Sequence, residues 1–185
     1  MKIRTDFVTN SSSSSFVCEI CGYSTSGWDM SLSEADMMEC VNGHIFCSEH
    51  ALERPNKKEM IKLIMENEYN SLTEEELINM EEDILFEDYL SEGGYYEIPE
   101  CVCPICQFVE YSEEDLSAYL LKEYKVSRDL VFEEVKQLNK RRKKLYESEY
   151  ITYVCKEFNL NPAEIVGGWK EKFGTYKAFK SYLRA

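Results

Sequence analysis

The chain has 185 residues, 8 cysteines, 2 histidines and a formal charge of -14, enough length to bury a core without covalent staples and enough acid to repel anionic nucleic acid and lipid. The charge is uneven: residues 1–121 hold 6 Lys and Arg against 26 Asp and Glu, and residues 122–185 hold 15 against 9. No run reaches membrane-spanning length and residues 1–8 lack the apolar segment of a secretion signal, so a cytoplasmic address is expected, where cysteine pairs serve metals or catalysis more often than disulfides.

Residues 1–17 read as a serine-rich arm, either flexible or a turn between two short strands, with the run Ser11 to Ser15 between Val8 and Phe16. Cys18-Glu-Ile-Cys21-Gly22 follows, a tight turn that points two thiols the same way, with the glycine supplying positive φ. Met37 to Cys40 and Ile45 to Cys47 predict a hairpin around Asn42-Gly43, a favoured two-residue turn. A helix is expected to start at Ser48, and the pattern turns helical again from Asn56, with Met60, Ile61, Ile64 and Met65 on one stripe.

Thr73-Glu-Glu-Glu76 is a capping-box sequence opening a further helix whose apolar side is Leu77, Ile78, Ile84 and Leu85. Residues 73–100 hold 11 acids and no Lys or Arg, so this helix has a carboxylate face, either solvating or a docking surface for something basic. Gly93-Gly94 breaks it before an extended Tyr95 to Pro99 and a second knuckle, Cys101-Val-Cys103-Pro-Ile-Cys106.

Helices fill the rest. One is capped near Ser112, one runs from about Ser127 to Tyr146 with Val131, Val135 and Leu138 inward, and one covers Tyr150 to Phe158. The last opens at Asn161-Pro-Ala-Glu164, where an N-cap, a first-turn proline and a glutamate coincide, and Gly167-Gly168 or Gly174 interrupts it. Tyr153 to Ile165 has the rhythm of a helix-turn-helix, but packing Trp169, Phe173, Tyr176 and Phe179 into a small helical core explains the same residues with less, and Cys155 reads as a buried small hydrophobe. Lys140, Arg141, Arg142, Lys143 and Lys144 place five cations on a predicted helix, either a phosphate-binding face or a helix end whose charges complement the dipole.

Zinc takes four sulfur or imidazole ligands in a tetrahedron, and close-spaced pairs supply two each. Cys18, Cys21, Cys40, His44, Cys47, His50, Cys103 and Cys106 are eight such ligands, enough for two ions, with Cys101 an alternative to Cys103. A hydrolytic zinc keeps an open position, whereas eight ligands close two sites, so the ions are expected to be structural. Neither histidine is followed by the glutamate of a zinc deaminase, and Cys103-Pro-Ile-Cys106 lacks the βαβ setting of a redox pair.

Gly43-His44-Ile-Phe-Cys47-Ser-Glu-His50-Ala-Leu52 and Cys103-Pro-Ile-Cys106 resemble the central signature and closing pair of RING fingers. The resemblance spans residues 18–106 and implies a cross-braced treble-clef core: Cys18, Cys21, Cys47 and His50 on one zinc, and Cys40, His44, Cys103 and Cys106 on the other. A sequential pairing, Cys18 and Cys21 with Cys103 and Cys106, uses the same ligands. His50 stands where RING fingers carry a cysteine, and the 52 residues before Cys103 are an unusually long insertion. Ile20 and Pro104 match positions that recruit a ubiquitin-conjugating enzyme, while Gln107 replaces a basic residue of active ligases. Separately, Thr5-Asp-Phe-Val-Thr-Asn-Ser-Ser-Ser-Ser-Ser-Phe16 resembles the opening of otherwise dissimilar proteins of Gram-positive bacteria.

The expected fold is α+β: a serine-rich arm (1–17), a small two-zinc RING-like core (18–110) with an acidic helical insertion at about 55–92, and an all-α region (111–185). The expected function is a non-enzymatic, zinc-binding protein-interaction module of a bacterial cytoplasm. Two alternatives are a nucleic-acid-associated regulator using the basic run and a RING-type ubiquitin-ligase-like effector.

Overall fold

A computed structural model describes residues 14–27, 30–67, 70–90, 97–140 and 143–185. The Gram-positive-like opening up to Ser13, Trp28, Gly93-Gly94, Tyr95-Tyr96, Arg141 and Arg142 lie outside the described residues. The fold is α+β, with five short strands in front and a helical C-terminal part. No described helix is long and apolar enough to cross a membrane.

Strand β1 (Ser14–Val17) pairs antiparallel with β2 (Ser24–Gly27), so the last serines of the run belong to a strand. In the second sheet β3 (Met37–Cys40) is central: β4 (Ile45–Cys47) lies antiparallel on one side and β5 (Glu97–Ile98) parallel on the other. The β3–β4 connection is longer than the expected two-residue turn. The Cys40 N–H donates to the His44 carbonyl at 3.0 Å, leaving Val41, Asn42 and Gly43 as the loop. Gly43, at φ 75°, takes the left-handed conformation that such a three-residue loop requires. Backbone bonds from Glu19 N to Ile45 O (2.8 Å) and from Val41 N to Ile98 O (3.0 Å) tie the first knuckle and β5 to this hairpin.

The helix expected at Ser48 is one 3-10 turn, Ser48–His50. The turn stops at Ala51, already extended at ψ 135°, and the Leu52 N–H donates to the Val102 carbonyl at 3.0 Å; Pro55 then keeps Arg54 out of the helical region. Helix α1 (Lys57–Glu66) then opens with a reciprocal capping box between Asn56 and Glu59, and buries Met60, Ile61 and Ile64. Met65 of the expected stripe is exposed. The next expected helix is two pieces. Helix α2 (Glu74–Ile78) carries the Thr73–Glu76 capping box, and α3 (Glu82–Ile84) runs on into a π-helical turn, Leu85–Leu90. The break turns Ile78 and Ile84 outward, whereas Leu77 and Leu85 are buried. Met60, Ile61, Ile64, Leu77, Leu85, Phe86 and Val102 make a local apolar cluster that holds this insertion together.

After the second knuckle come α4 (Glu113–Glu123), α5 (Arg128–Leu138), α6 (Glu147–Glu157), α7 (Pro162–Phe173) and α8 (Tyr176–Arg184). Ser112 and Asn161 cap α4 and α7 with their side chains, as expected. Helix α5 ends earlier than expected. Val131 and Val135 are buried, but Leu138 is 77% exposed and has no core to extend the helix over, and the five cations beyond it repel one another. Lys140, Lys143 and Lys144 therefore lie on the α5–α6 connection, not on a helix. Gly167 and Gly168 do not interrupt α7; Gly174, at φ 72°, ends it.

A large apolar cluster runs from Cys18, Cys40, Phe46 and Cys103 through Phe108, Leu116 and Val131 to Trp169 and Phe179. At its centre the Trp169 and Phe179 rings are 4.4 Å apart, and Phe108 meets Phe179 edge to face at 5.6 Å. The strands and the C-terminal helices thus share one interior, into which Cys40 and Cys103 also project.

Candidate metal centres

Each knuckle is a turn closed on itself. Gly22 N–H donates to the Cys18 carbonyl at 2.9 Å and Gln107 N–H to the Cys103 carbonyl at 3.0 Å, which brings the two cysteines of each pair onto one side. Backbone N–H groups then point at the leading sulfurs: Cys21 N and Cys47 N lie 3.5 and 3.4 Å from Cys18 Sγ, and Cys106 N lies 3.5 Å from Cys103 Sγ. At Cys18 burial opposes charge, and the N–H donors of Cys21 and Cys47 nonetheless hold its thiol below the ordinary value. Asn42 Nδ2 donates to Cys106 Sγ at 3.3 Å.

Strand pairing sets which knuckle meets which histidine. The Glu19 N–H bond to the Ile45 carbonyl holds Cys18 and Cys21 beside Cys47, at the end of β4, and His50 on the 3-10 turn; β5 alongside β3 delivers Cys103 and Cys106 to Cys40 and His44. The eight residues form two groups, Cys18, Cys21, Cys47 and His50, and Cys40, His44, Cys103 and Cys106, each with its ligand atoms within 4.8 Å of one another. The order is interleaved, not sequential. Cys101 joins neither group, and burial pushes its thiol up to about 11.

The spacing within each group is that of a tetrahedron around an ion. Metal–sulfur and metal–nitrogen bonds of about 2.3 and 2.05 Å imply sulfur–sulfur edges of about 3.8 Å and sulfur–nitrogen edges of about 3.5 Å. Cys21 and Cys47 sulfurs are 3.8 Å apart, as are those of Cys40 and Cys106. Nδ1 of His44 lies 3.3, 3.6 and 3.4 Å from the sulfurs of Cys40, Cys103 and Cys106, and Nδ1 of His50 lies 3.7 Å from Cys18 Sγ. No cysteine is paired in a disulfide. Both sets can hold a metal ion, and three sulfurs with one imidazole are consistent with zinc.

The thiols cannot share negative charge evenly. In the inner group, hydrogen bonds with Cys103 and Cys106 hold the Cys40 thiol far below its ordinary value, and hydrogen bonds with Cys103 and Cys40 push the Cys106 thiol far up. Burial opposes charge on His44, but hydrogen bonds with Cys103 and Cys40 raise it to about 10. In the outer group burial, then Cys18 and Cys21, push Cys47 up to about 12. A divalent cation relieves that repulsion for all the sulfurs at once.

The groups differ in their surroundings. All four inner residues are buried, whereas Cys21 is exposed and Cys47 and His50 are half-buried. The inner group also has neighbours that sequence reasoning missed. His44 Nε2 lies 2.8 Å from Tyr176 Oη, which donates to Asp115 Oδ2 at 2.7 Å, and Lys180 Nζ donates to Asp115 Oδ1 at 2.5 Å. Burial and then Asp115 push the Tyr176 phenol far up, so it stays protonated. Glu19, mid-knuckle, accepts the Ile45 N–H at 2.9 Å. An acid in a helix's first turn and an aromatic on its apolar stripe give no local sign of these roles.

Comparison with known proteins finds no matching family model, no curated protein of similar sequence and no solved structure of similar fold.

Proposed function

We propose that the chain is a structural zinc protein, cross-braced in the manner of RING fingers, that acts as a protein-interaction module and carries out no catalysis at its metals. The observation that carries this reading is the two four-membered Cys/His groups at tetrahedral spacing. Cys18, Cys21, Cys47 and His50 hold one ion, and Cys40, His44, Cys103 and Cys106 the other. Zinc supplies folding free energy here by joining segments that the chain alone would leave apart. With four protein ligands on each ion, no position stays open for water or substrate.

The surface favours a protein as partner. Exposed Ile78 and Ile84 stand on α2 and α3 among Glu74, Glu75, Glu81, Glu82 and Asp83, a mix of apolar and acidic groups suited to a basic, partly apolar partner. Of the two positions a ubiquitin-conjugating enzyme would touch, Pro104 is fully buried and Ile20 half-buried, which supports the non-enzymatic reading.

The test is mass spectrometry of the purified chain under native conditions. It should carry two zinc ions, and Cys40→Ser and Cys47→Ser should each lose one. A chain purified without zinc that also fails to take it up sinks the proposal. The interaction role is tested by affinity capture with wild type against Ile78→Ser/Ile84→Ser; an identical set of retained proteins counts against that surface.

A further inference from the structure

Asp115 is a carboxylate only 3% exposed that neither Cys/His group uses as a ligand. It stands in the first turn of α4, its N–H bonded to the capping Ser112 hydroxyl at 3.1 Å, where the helix dipole favours negative charge. Tyr176 and Lys180 are one turn apart on α8 and so reach its two oxygens from the same side. Asp115 stands 4.0 Å from His44 Nε2, so the tyrosine hydroxyl bridges the two.

We infer that Tyr176 and Asp115 are positioning residues of the inner metal centre, holding the His44 ring with Nδ1 on the ion and so making α4 and α8 part of the site. The inference rests on the zinc reading above. Its geometric basis is a chain of donors with one consistent direction. Nδ1 faces all three sulfurs. A ring that gives Nδ1 to a metal carries its hydrogen on Nε2, and among the described residues the hydrogen-bond partner of that nitrogen is the Tyr176 oxygen. A phenol that accepts there sends its own hydrogen onward, and Asp115 receives it. Lys180 balances the carboxylate from the other side. A tyrosine recruited for packing needs one partner for its hydroxyl; Tyr176 has two, with the polarity that the metal-bound tautomer demands.

Partners of this kind fix the tautomer and raise the basicity of the ligand, and removing them weakens metal binding about 10- to 100-fold. The second consequence is coupling. Helix α8 also seats Phe179 in the core, so an ion on His44 and the docking of α8 stabilise each other.

Zinc affinity of the full chain, measured by competition with a chromogenic chelator, tests this. Wild type should hold two ions. Tyr176→Phe and Asp115→Asn should hold one at unchanged affinity and the other about 10- to 100-fold more weakly. With cobalt(II) in place of zinc, the visible bands of one of the two tetrahedral ions should shift in both variants. Phe179→Leu, which disturbs the same core without touching the chain of donors, should keep the wild-type spectrum. If Tyr176→Phe folds poorly, Asp115→Asn, which keeps the shape of the side chain, carries the test. Unchanged affinities and spectra in a two-zinc protein overturn the inference alone, whereas a wild type that binds no zinc overturns the metal reading beneath it.

Discussion

His44 and Tyr176 stand 132 residues apart in sequence and meet at 2.8 Å, with their rings edge to face. The contact joins a side chain on the β3–β4 hairpin to the first turn of the last helix. Tyr176 and Phe179 lie on one face of α8, so the same helix brings a polar end to the inner cluster and an aromatic body to the core. Loss of the inner ion should therefore loosen the seating of Phe179 in the core.

The aromatic centre should dominate the stability of the C-terminal half. Phe179 is fully buried and packs against Phe108, Tyr119, Trp169, Phe173 and Tyr176. Phe179→Ala should cost about 3–5 kcal/mol in urea unfolding, the range for emptying a buried phenylalanine site. Leu138→Ala, on a side chain 77% exposed, should change stability by less than about 0.5 kcal/mol. Comparable losses in the two variants would mean that the core lies elsewhere.

Two glycines of one helix should respond in opposite directions. A Cβ added at Gly167 meets nothing within 4 Å, and the residue is helical, so Gly167→Ala should stabilise by about 0.5–1 kcal/mol. Gly174 also has open space, but it sits at φ 72°, where a side chain costs about 1–2 kcal/mol. Thermal unfolding of the two variants should thus bracket the wild type, and a stabilised Gly174→Ala would contradict the left-handed cap.

Features that depend on a few neighbouring residues are legible in the sequence. The knuckles, the Thr73–Glu76 box and the Asn161 cap each need only three or four residues in register. The interleaved pairing follows from a resemblance, since spacing alone leaves a sequential pairing equally open. Apolar stripes mislead where they suggest long helices. Met65, Ile78, Ile84 and Leu138 fit the period but are exposed: the break after Ile78 and the early end of α5 reset the chain around the last three, and Met65 falls outside the face of α1 that buries Met60, Ile61 and Ile64. Gly167-Gly168 resembles an interruption and is none: two glycines cost about 1 kcal/mol each, and the burial of Val166 and Trp169 on either side outweighs that. The roles of Asp115 and Tyr176 are invisible in the sequence because nothing local marks an acid that will meet a helix 61 residues later.

The basic run should not make this chain a nucleic-acid binder. Lys140, Lys143 and Lys144 sit on a connection between helices rather than along one face of a helix, and residues 1–121 bring a charge of -20 to any phosphate backbone, the difference between 6 cations and 26 acids. Fluorescence anisotropy with random duplex DNA at about 50 mM salt, where electrostatic binding is strong, should show no complex. Tight, steeply salt-dependent binding that Lys143→Gln/Lys144→Gln abolishes would revive the regulator.

The two sites should release metal at different rates. A chelator or oxidant must reach a sulfur to displace the ion, and only the outer group offers one: Cys21 is exposed and its sulfur lies 3.8 Å from that of Cys47, while all four inner ligands are buried. Zinc release into excess chelator should run in two phases of one ion each, the fast phase absent from Cys21→Ser protein already lacking that ion. Hydrogen peroxide should act in the same order, taking two electrons from the Cys21 and Cys47 thiolates and, with two protons from solvent, leaving a disulfide and two waters as the outer zinc departs, with the inner zinc retained. Peptide mapping should then find Cys21 joined to Cys47 before any change at Cys40, Cys103 or Cys106. A single phase carrying both ions, or early oxidation of the inner cysteines, would mean that the interior opens as readily as the surface, against the burial of all four inner ligands.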